Sequence, residues 1–501
     1  MSQVCSRASA DDAIDPLNGF DEYVRTALVD WKTPGISVAI IRSNETLLTK
    51  GYGVRELGKP ELVDENTVFP ISSVTKVFTA TGLALLVEDG KLDWADRVKK
   101  HLPGFQLRDE YLSNEVRLTD LLSHRTGLER ADILAYRGDY DRQELIRRLR
   151  YLEPVAPFRD RWGYHNLMVV TAGQILEEVS GKPWEDFIRN RVFRPLRMNR
   201  SYTEHGLSVE NSATMHVLLE GKTVVDPLKE RVKTDEGFRR LHKAVGPAGA
   251  IHSTVADLAH FLSMYVNEGL FDGHQFLMTE TVRNMGAPRS VLPIKTKPEP
   301  MSAFARYFVG CGLGWQLRDY RGRKIVYHTG SSGAVVAFMP EEKIGVAVVA
   351  NRGCGIPFMV MHDVLDRLLD IPRDMTNEDW IKEGITKPEQ EHARREAELD
   401  AKREKHTVPS LALSEYAGIY ESDLYGKLEI RLDNGTLHLQ FGPNMSAMLE
   451  HWENDTFRGQ LNFPSDDWLL KFVVQDSAGT QLEVERIYWH ESMPKFLRVK
   501  D

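Results

Sequence analysis

The sequence predicts an α+β fold: an antiparallel sheet with flanking helices and a helical cluster, followed by a small all-β unit. Three observations predict it. Strand-like segments stand at both ends of residues 1–375 with helical segments between them, so the first and last strands are expected to meet in one sheet. A charge-dense stretch over residues 376–410 then breaks the pattern. From residue 411 to 501 short segments alternate apolar and polar residues, the period of two that a half-buried strand requires.

Taken in order, a helical stretch runs from Leu17 to Leu28, and residues 34–54 read as two strands joined by the polar turn Ser43-Asn44-Glu45. The apolar run after Ser73 (Val77, Phe78, Leu83, Leu85, Leu86, Val87) implies a helix buried on most faces, with Gly90 as its stop. Shorter helices follow, one near Leu118–Ser123 and a longer one over Met168–Val179 closed by Gly181. Residues 254–266 form an amphipathic helix, with Thr254 as N-cap and Asp257 completing a capping box. Gly314–Leu317, Lys324–His328, Ala334–Met339 and Gly345–Ala350 are spaced like an antiparallel meander, and Val360–Leu369 is helical again.

Glu389–Lys405 pairs Glu391 with Arg395 and Glu398 with Lys402 one turn apart, as an exposed connecting helix ended by Pro409 would. Beyond it, Lys427–Leu432 and Thr436–Phe441 flank the hairpin turn Asp433-Asn434-Gly435. Trp468–Val474, Gln481–Tyr488 and Lys495–Val499 supply further strands, enough for a small closed barrel or a sandwich.

Composition narrows the function. With 42% hydrophobic and 27% charged residues the 501-residue chain is an ordinary globular one, long enough for two or three domains. A net charge of -9 without a basic block argues against a nucleic-acid partner. Cys5, Cys311 and Cys354 have neither disulfide-framework nor metal-ligand spacing, so neither a metal nor another cofactor is expected. Met1–Asp15 lacks the basic-then-apolar order of a secretory signal, and no apolar run reaches membrane-spanning length. Read as complete, the chain is expected to be cytoplasmic, with no membrane partner.

Ser73-Val74-Thr75-Lys76 carries the chemistry. A serine and a lysine three positions apart on a helix share one face, and a partly buried lysine can lose its proton and serve as the base that serine lacks. The simpler alternative is an N-terminal helix serine beside a solvated lysine. Two further elements weigh against that alternative. Tyr164-His165-Asn166 opens a helix, where a tyrosine can relay a proton and an asparagine amide can hold both a lysine and a substrate carbonyl. His328-Thr329-Gly330 leads into the turn Ser331-Ser332-Gly333, small residues that would let a substrate lie against a sheet edge.

In this order the three elements resemble the serine hydrolases that include penicillin-binding proteins, D-alanyl-D-alanine carboxypeptidases and class C β-lactamases. Leu121-Leu122-Ser123-His124-Arg125-Thr126-Gly127-Leu128 is similar to that family's "LLSHTSGL" segment, and Gly312-Leu313-Gly314-Trp315 to its "GLGW". The resemblance, over residues 15–372, implies the β-lactamase/DD-peptidase fold and an acyl-enzyme mechanism. Ser73 would be the nucleophile and Lys76 its base, with Tyr164 as proton relay and Asn166 orienting Lys76 and the substrate. The backbone N–H groups of Ser73 and Ser331, beside Thr329 and Gly330, would hold the oxyanion.

One position departs from the family. His328 stands where β-lactamases and many transpeptidases carry lysine, and a histidine half-charged near neutrality can act as acid or base. That departure directs the expectation to the esterase and D-stereospecific peptidase branch and to small-molecule or peptide substrates, D-residue peptides included. A carboxylesterase, an acyltransferase or peptide cyclase, and a non-catalytic scaffold are the alternatives; the lesser reading of His328 is a strand residue hydrogen-bonded to a neighbour. Tyr416–Tyr420 and Leu449–Phe457 are similar to lipocalin-like C-terminal domains, which implies a barrel that assists a homo-oligomer or restricts the cleft, with Trp452 and Phe457 in its core. The acidic pairs Glu88-Asp89 and Asp466-Asp467 read as surface charge.

Overall fold

The computed structural model describes residues 15–204, 209–219, 221–228, 234–292, 307–373, 375–464, 467–475, 479–486, 491–492 and 495–499. The expectations for Cys5 and the first fourteen residues, for Asp466 and for the strand end at Tyr488 lie outside the described residues.

β-Branched runs build the central sheet. β1 (Gly35–Arg42) and β2 (Glu45–Gly53) form a hairpin whose turn places Ser43 at positive φ. β3 (Ser290–Val291), β4 (Val309–Cys311), β5 (Gln316–Tyr320), β6 (Arg323–Gly330), β7 (Ala334–Met339) and β8 (Ile344–Ala350) complete an antiparallel sheet of order β2-β1-β8-β7-β6-β5-β4-β3. The two ends of the domain do meet: β1 pairs with β8 from Ile36↔Ala350 to Arg42↔Ile344.

Successive residues of β8 serve opposite faces, so both faces are covered and the strand reads as one apolar run. Val346 and Val348 pack under α1 (Phe20–Asp30) and α7 (Ile356–Leu368), whereas Ala347 and Val349 pack against α6 (Val255–Val266). The helical cluster holds α2 (Thr75–Glu88), α3 (Leu118–Leu122), α4 (Ile133–Tyr136) and α5 (Asn166–Ser180). α2 is buried continuously from Thr75 to Leu86, and Gly181 closes α5 in the left-handed conformation. The expected capping box at α6 is only half present. Thr254 Oγ1 accepts the Asp257 N–H at 3.1 Å, but the Asp257 carboxylate accepts from Arg200 N and Ser201 Oγ instead.

After the sheet, a segment with Trp380 buried packs on α1, where Trp31 Nε1 donates to Asn377 Oδ1 at 3.3 Å. α8 (Lys387–Lys402) is the exposed charged helix. Its Glu398 pairs with Arg394. The C-terminal strands β9 (Gly418–Ser422), β10 (Gly426–Asp433), β11 (Thr436–Phe441), β12 (Met445–Glu453), β13 (Thr456–Gln460), β14 (Asp467–Gln475), β15 (Gly479–Arg486) and β16 (Phe496–Arg498) pair in sequence. Pairings of β15 with β16 and of β16 with β9 close them into an eight-stranded antiparallel barrel.

Two barrel expectations are corrected. Phe457 is core, but Trp452 is only half-buried, its face covered by Arg403 at 4.3 Å. Asp467 is buried, because Arg458 binds it at 2.8 Å. Among the described residues no helix is long and apolar enough to cross a membrane, and no group of side chains has a metal-binding arrangement.

Candidate active site

Ser73 sits in a single 3₁₀ turn, Ser72–Val74, that leads directly into α2. Ile71 O closes the turn by accepting the Val74 N–H at 3.1 Å, and Ser72 takes a positive φ of 44°. The turn leaves Ser73 half-buried while Lys76, one turn on, is 0% exposed. Lys76 Nζ lies 3.0 Å from Ser73 Oγ and donates to Ala248 O at 2.7 Å. The acceptor is itself fixed. Thr75 Oγ1 accepts the Ile251 N–H, and Thr79 Oγ1 donates to Pro247 O, so the segment carrying Ala248 is stapled to α2 on both sides of the lysine.

Burial pulls the Lys76 ammonium down from the usual lysine range to about 7; the Asp132 carboxylate opposes the fall and Arg130 adds to it. Near neutral pH a large share of Lys76 is therefore the free amine, which can donate one N–H to Ala248 O and accept the Ser73 proton on its lone pair. Tyr164 is close by, its ring centroid 5.0 Å from Lys76 Nζ and its hydroxyl near enough to Ser73 to feel it electrostatically. Burial raises the phenol well above its ordinary range, so Tyr164 keeps its proton. The residue that can be a neutral base near pH 7 is Lys76.

Asn166 begins α5 beside this pair, but its amide Nδ2 donates to Asp132 Oδ1 at 2.9 Å. The hydrogen bonds of Lys76 go to Ser73 and Ala248, so the expected orientation of Lys76 by Asn166 is replaced by the carbonyl of Ala248. Asp132 and Arg130, ion-paired to each other, escaped the sequence reading. The available signal was three charges, Glu129, Arg130 and Asp132, in the otherwise apolar stretch Leu128 to Ala135. His124 holds the loop under Tyr164: its Nδ1 accepts the His165 N–H at 3.2 Å and its ring lies 4.7 Å from that of Tyr164.

His328, Thr329 and Gly330 end β6, and their setting qualifies one expectation and corrects another. β6 is an interior strand rather than an edge, paired with β5 and β7. Its last β5 partner is Gln316, opposite Tyr327, because Gly314 at φ 78° turns the chain away toward α2. Residues 328–330 therefore pair only with β7 and face the turn that carries Ser73 along a local open edge. The following turn is tied there by Ser332 Oγ, which donates to Pro70 O at 2.6 Å, and this brings the exposed Ser331 to the same side.

The correction concerns charge. His328 is 2% exposed, and burial together with the Lys76 charge lowers its pKa to about 3. It is a neutral imidazole across the physiological range, its Nδ1–H donating to Thr329 O at 2.8 Å. His328→Gln is accordingly expected to leave the midpoint of the acid limb of a pH–rate profile near pH 7, where Lys76 sets it. Measuring rates from pH 5 to 9 in both proteins checks this; a limb that vanishes in the variant would assign the titration to His328.

Cys311 is buried with its thiol pushed up to about 12, an unreactive neighbour of the site.

Comparison with known proteins agrees with this geometry. Residues 20–371 match the Beta-lactamase family, and residues 402–496 match a domain of unknown function, DUF3471. Two fungal relatives are similar over most of the chain. The Unguisins hydrolase ungD of Aspergillus violaceofuscus is 28% identical, covering 90% of this chain and 84% of its own length. The Unguisins hydrolase ungD' of Aspergillus campestris is 30% identical, covering 85% and 80%. The octameric penicillin-binding protein homologue from Pyrococcus abyssi superposes with a TM-score of 0.60 over 96% of this chain and 100% of that one, at 23% identity, a likeness of fold. The chain belongs to the Beta-lactamase family.

Proposed function

From that membership we propose that the protein is a serine hydrolase that forms an acyl-enzyme on Ser73 and cleaves amide bonds of small peptides, D-residue peptides among them. The observation that carries the reading is the wholly buried Lys76, 3.0 Å from Ser73 Oγ, with a pKa of about 7. Lys76 takes the Ser73 proton as Oγ attacks the carbonyl carbon, and the carbonyl π electrons move to oxygen. The backbone N–H groups of Ser73 and Ser331 stabilise that oxyanion. Tyr164 passes the proton from Lys76 to the leaving nitrogen as the C–N bond breaks, and the amine departs neutral. Water then attacks the acyl carbon, releasing the acid and restoring Ser73 Oγ–H.

The neutral His328 supports the substrate class. It offers no fixed cation to a carboxylate beside the scissile bond, so internal amides suit the site. The names of the two Aspergillus relatives make unguisins the first natural compounds to offer it.

A fluorophosphonate probe tests the reading: one adduct is expected, on the peptide that carries Ser73. No adduct, together with no turnover of p-nitrophenyl acetate or D-alanyl-p-nitroanilide, would leave a non-catalytic scaffold. Turnover of the ester without the anilide would replace the peptidase by a carboxylesterase or acyltransferase.

A further inference from the structure

The helical cluster meets the barrel in several places, and one short segment among them also reaches the active site. Its first end is Arg130–Asp132, where the Asp132 carboxylate pairs with Arg130 and holds the Asn166 amide at 2.9 Å. Its other end is Arg137, whose Nε and Nη2 hold Asp139 while its remaining nitrogen and its carbonyl are held by the barrel. Arg137 Nη1 donates to Tyr425 O at 2.7 Å and to Lys427 O at 2.8 Å. The guanidinium lies 4.5 Å from the centre of the Phe441 ring, and the Arg137 carbonyl accepts the Asn444 N–H at 3.1 Å. Gly442 is so close that a Cβ there would stand 2.7 Å from Arg137 O.

Between the two ends lies only α4, a single helical turn whose Ile133, Leu134 and Ala135 are buried. A turn of this length, hydrogen-bonded and packed, moves as a unit. Displacing Arg137 therefore displaces Asp132.

We propose that the barrel is a positioning element of the active site: by clamping Arg137 it fixes α4, and through α4 the Asp132 carboxylate that holds Asn166 beside Ser73 and Lys76. The inference rests on the acyl-enzyme reading and adds to it a role for the C-terminal domain. Nη1 serves both barrel carbonyls while Nε and Nη2 grip the Asp139 carboxylate, a planar set of donors that arginine supplies and lysine does not. Asp132 also bears on the base electrostatically. The charged and titratable groups facing Lys76 are Asp132 and Arg130 from this segment, His124 and Tyr164 from the loops before α5, and His328 from β6. His124 is held neutral by burial, as His328 is, so Asp132 is the anion that keeps the Lys76 pKa from falling further.

The experiment follows fluorophosphonate labelling of Ser73 in the full chain from pH 5 to 9, separating the limiting rate from probe affinity. Arg137→Lys and Gly442→Ala disturb the clamp from its two sides. Arg148→Ala removes a different contact between cluster and barrel, the donations to Asp423 O and Leu424 O, and leaves residues 130–137 untouched. The two clamp variants are expected to melt cooperatively and bind the probe within about twofold of the unmodified protein. They should label about tenfold more slowly, the scale of a sub-ångström misplacement, with the acid limb displaced to lower pH as Asp132 moves off Lys76. Arg148→Ala is expected to keep both rate and limb. If Arg137→Lys does not fold, Gly442→Ala carries the same reading. Folded clamp variants with unmodified rate and limb, or the same loss in Arg148→Ala, would overturn the positioning role alone. Absence of labelling in the unmodified protein would instead overturn the acyl-enzyme reading and this inference with it.

Discussion

Lys76→Met is expected to slow acylation of Ser73 by about 10²–10⁴-fold, the contribution of a positioned general base, and at the same time to stabilise the protein at pH 6. Methionine has nearly the length of lysine and suits the apolar surroundings of α2 without a charge to desolvate. In the unfolded chain Lys76 holds its proton up to its ordinary value of 10.5, whereas in the folded chain it does so only up to about 7. Between these values the unfolded state binds more protons, so the stability of the unmodified protein rises with pH there, and the penalty of the buried ammonium is full below pH 7. That penalty is about 3–5 kcal/mol below pH 7 and falls to about 1 kcal/mol at pH 10. Against it stands the loss of the donor to Ala248 O, about 1–3 kcal/mol. The sum favours the variant at pH 6 and not at pH 10. Chemical denaturation at the two pH values checks the sign; a variant less stable at pH 6 would mean that the lysine is not the cost its burial implies, and an unchanged labelling rate would mean that it is not the base.

What the sequence discloses of this site follows from which interactions are local. Ser73 and Lys76 lie one helical turn apart on an apolar segment, so their proximity and the burial of the lysine can both be read from spacing. The meeting of β1 with β8 is legible for a similar reason, since two β-branched runs with turn residues at their ends have few places to go in a sheet covered on both faces. Asp132 is different. It lies in a short connection with no periodicity, and its value comes from Asn166, which only the fold brings to it. The charge of His328 is hidden in the same way, because residue type gives a pKa near 6.5 and the packing of β6 on the nucleophile turn lowers it. Arg403 covering Trp452, and Arg458 neutralising Asp467, likewise depend on chain crossings that alternation along a strand does not encode.

Gly330→Ala carries the second large expected effect, a loss of about 10²-fold in acylation rate with a loss of stability of about 1–3 kcal/mol. A Cβ on Gly330 would stand 2.2 Å from Ile71 O and 3.3 Å from the Ala334 side chain. The first of these is contact with backbone, which cannot rotate away as a side chain can. Ile71 has little room to retreat, since its N–H is bonded to Ile251 O at 3.0 Å and the preceding Pro70 O accepts from Ser332. The strained atom is also the one that matters most for the nucleophile: Ile71 O closes the 3₁₀ turn by accepting the Val74 N–H, and Ser73 is the middle residue of that turn. Moving the carbonyl loosens the turn, and Ser73 Oγ loses its alignment with Lys76 Nζ while Lys76, anchored to Ala248, stays in place. The expected signature is a fall in limiting rate with the acid limb still near pH 7, because the base and its surroundings are unchanged. Gly104→Ala, where the added Cβ meets nothing within 4 Å, should retain the unmodified rate and stability. Equal rates in Gly330→Ala and the unmodified protein would show that the end of β6 does not hold the nucleophile turn, and that glycine at this position serves the substrate rather than the serine.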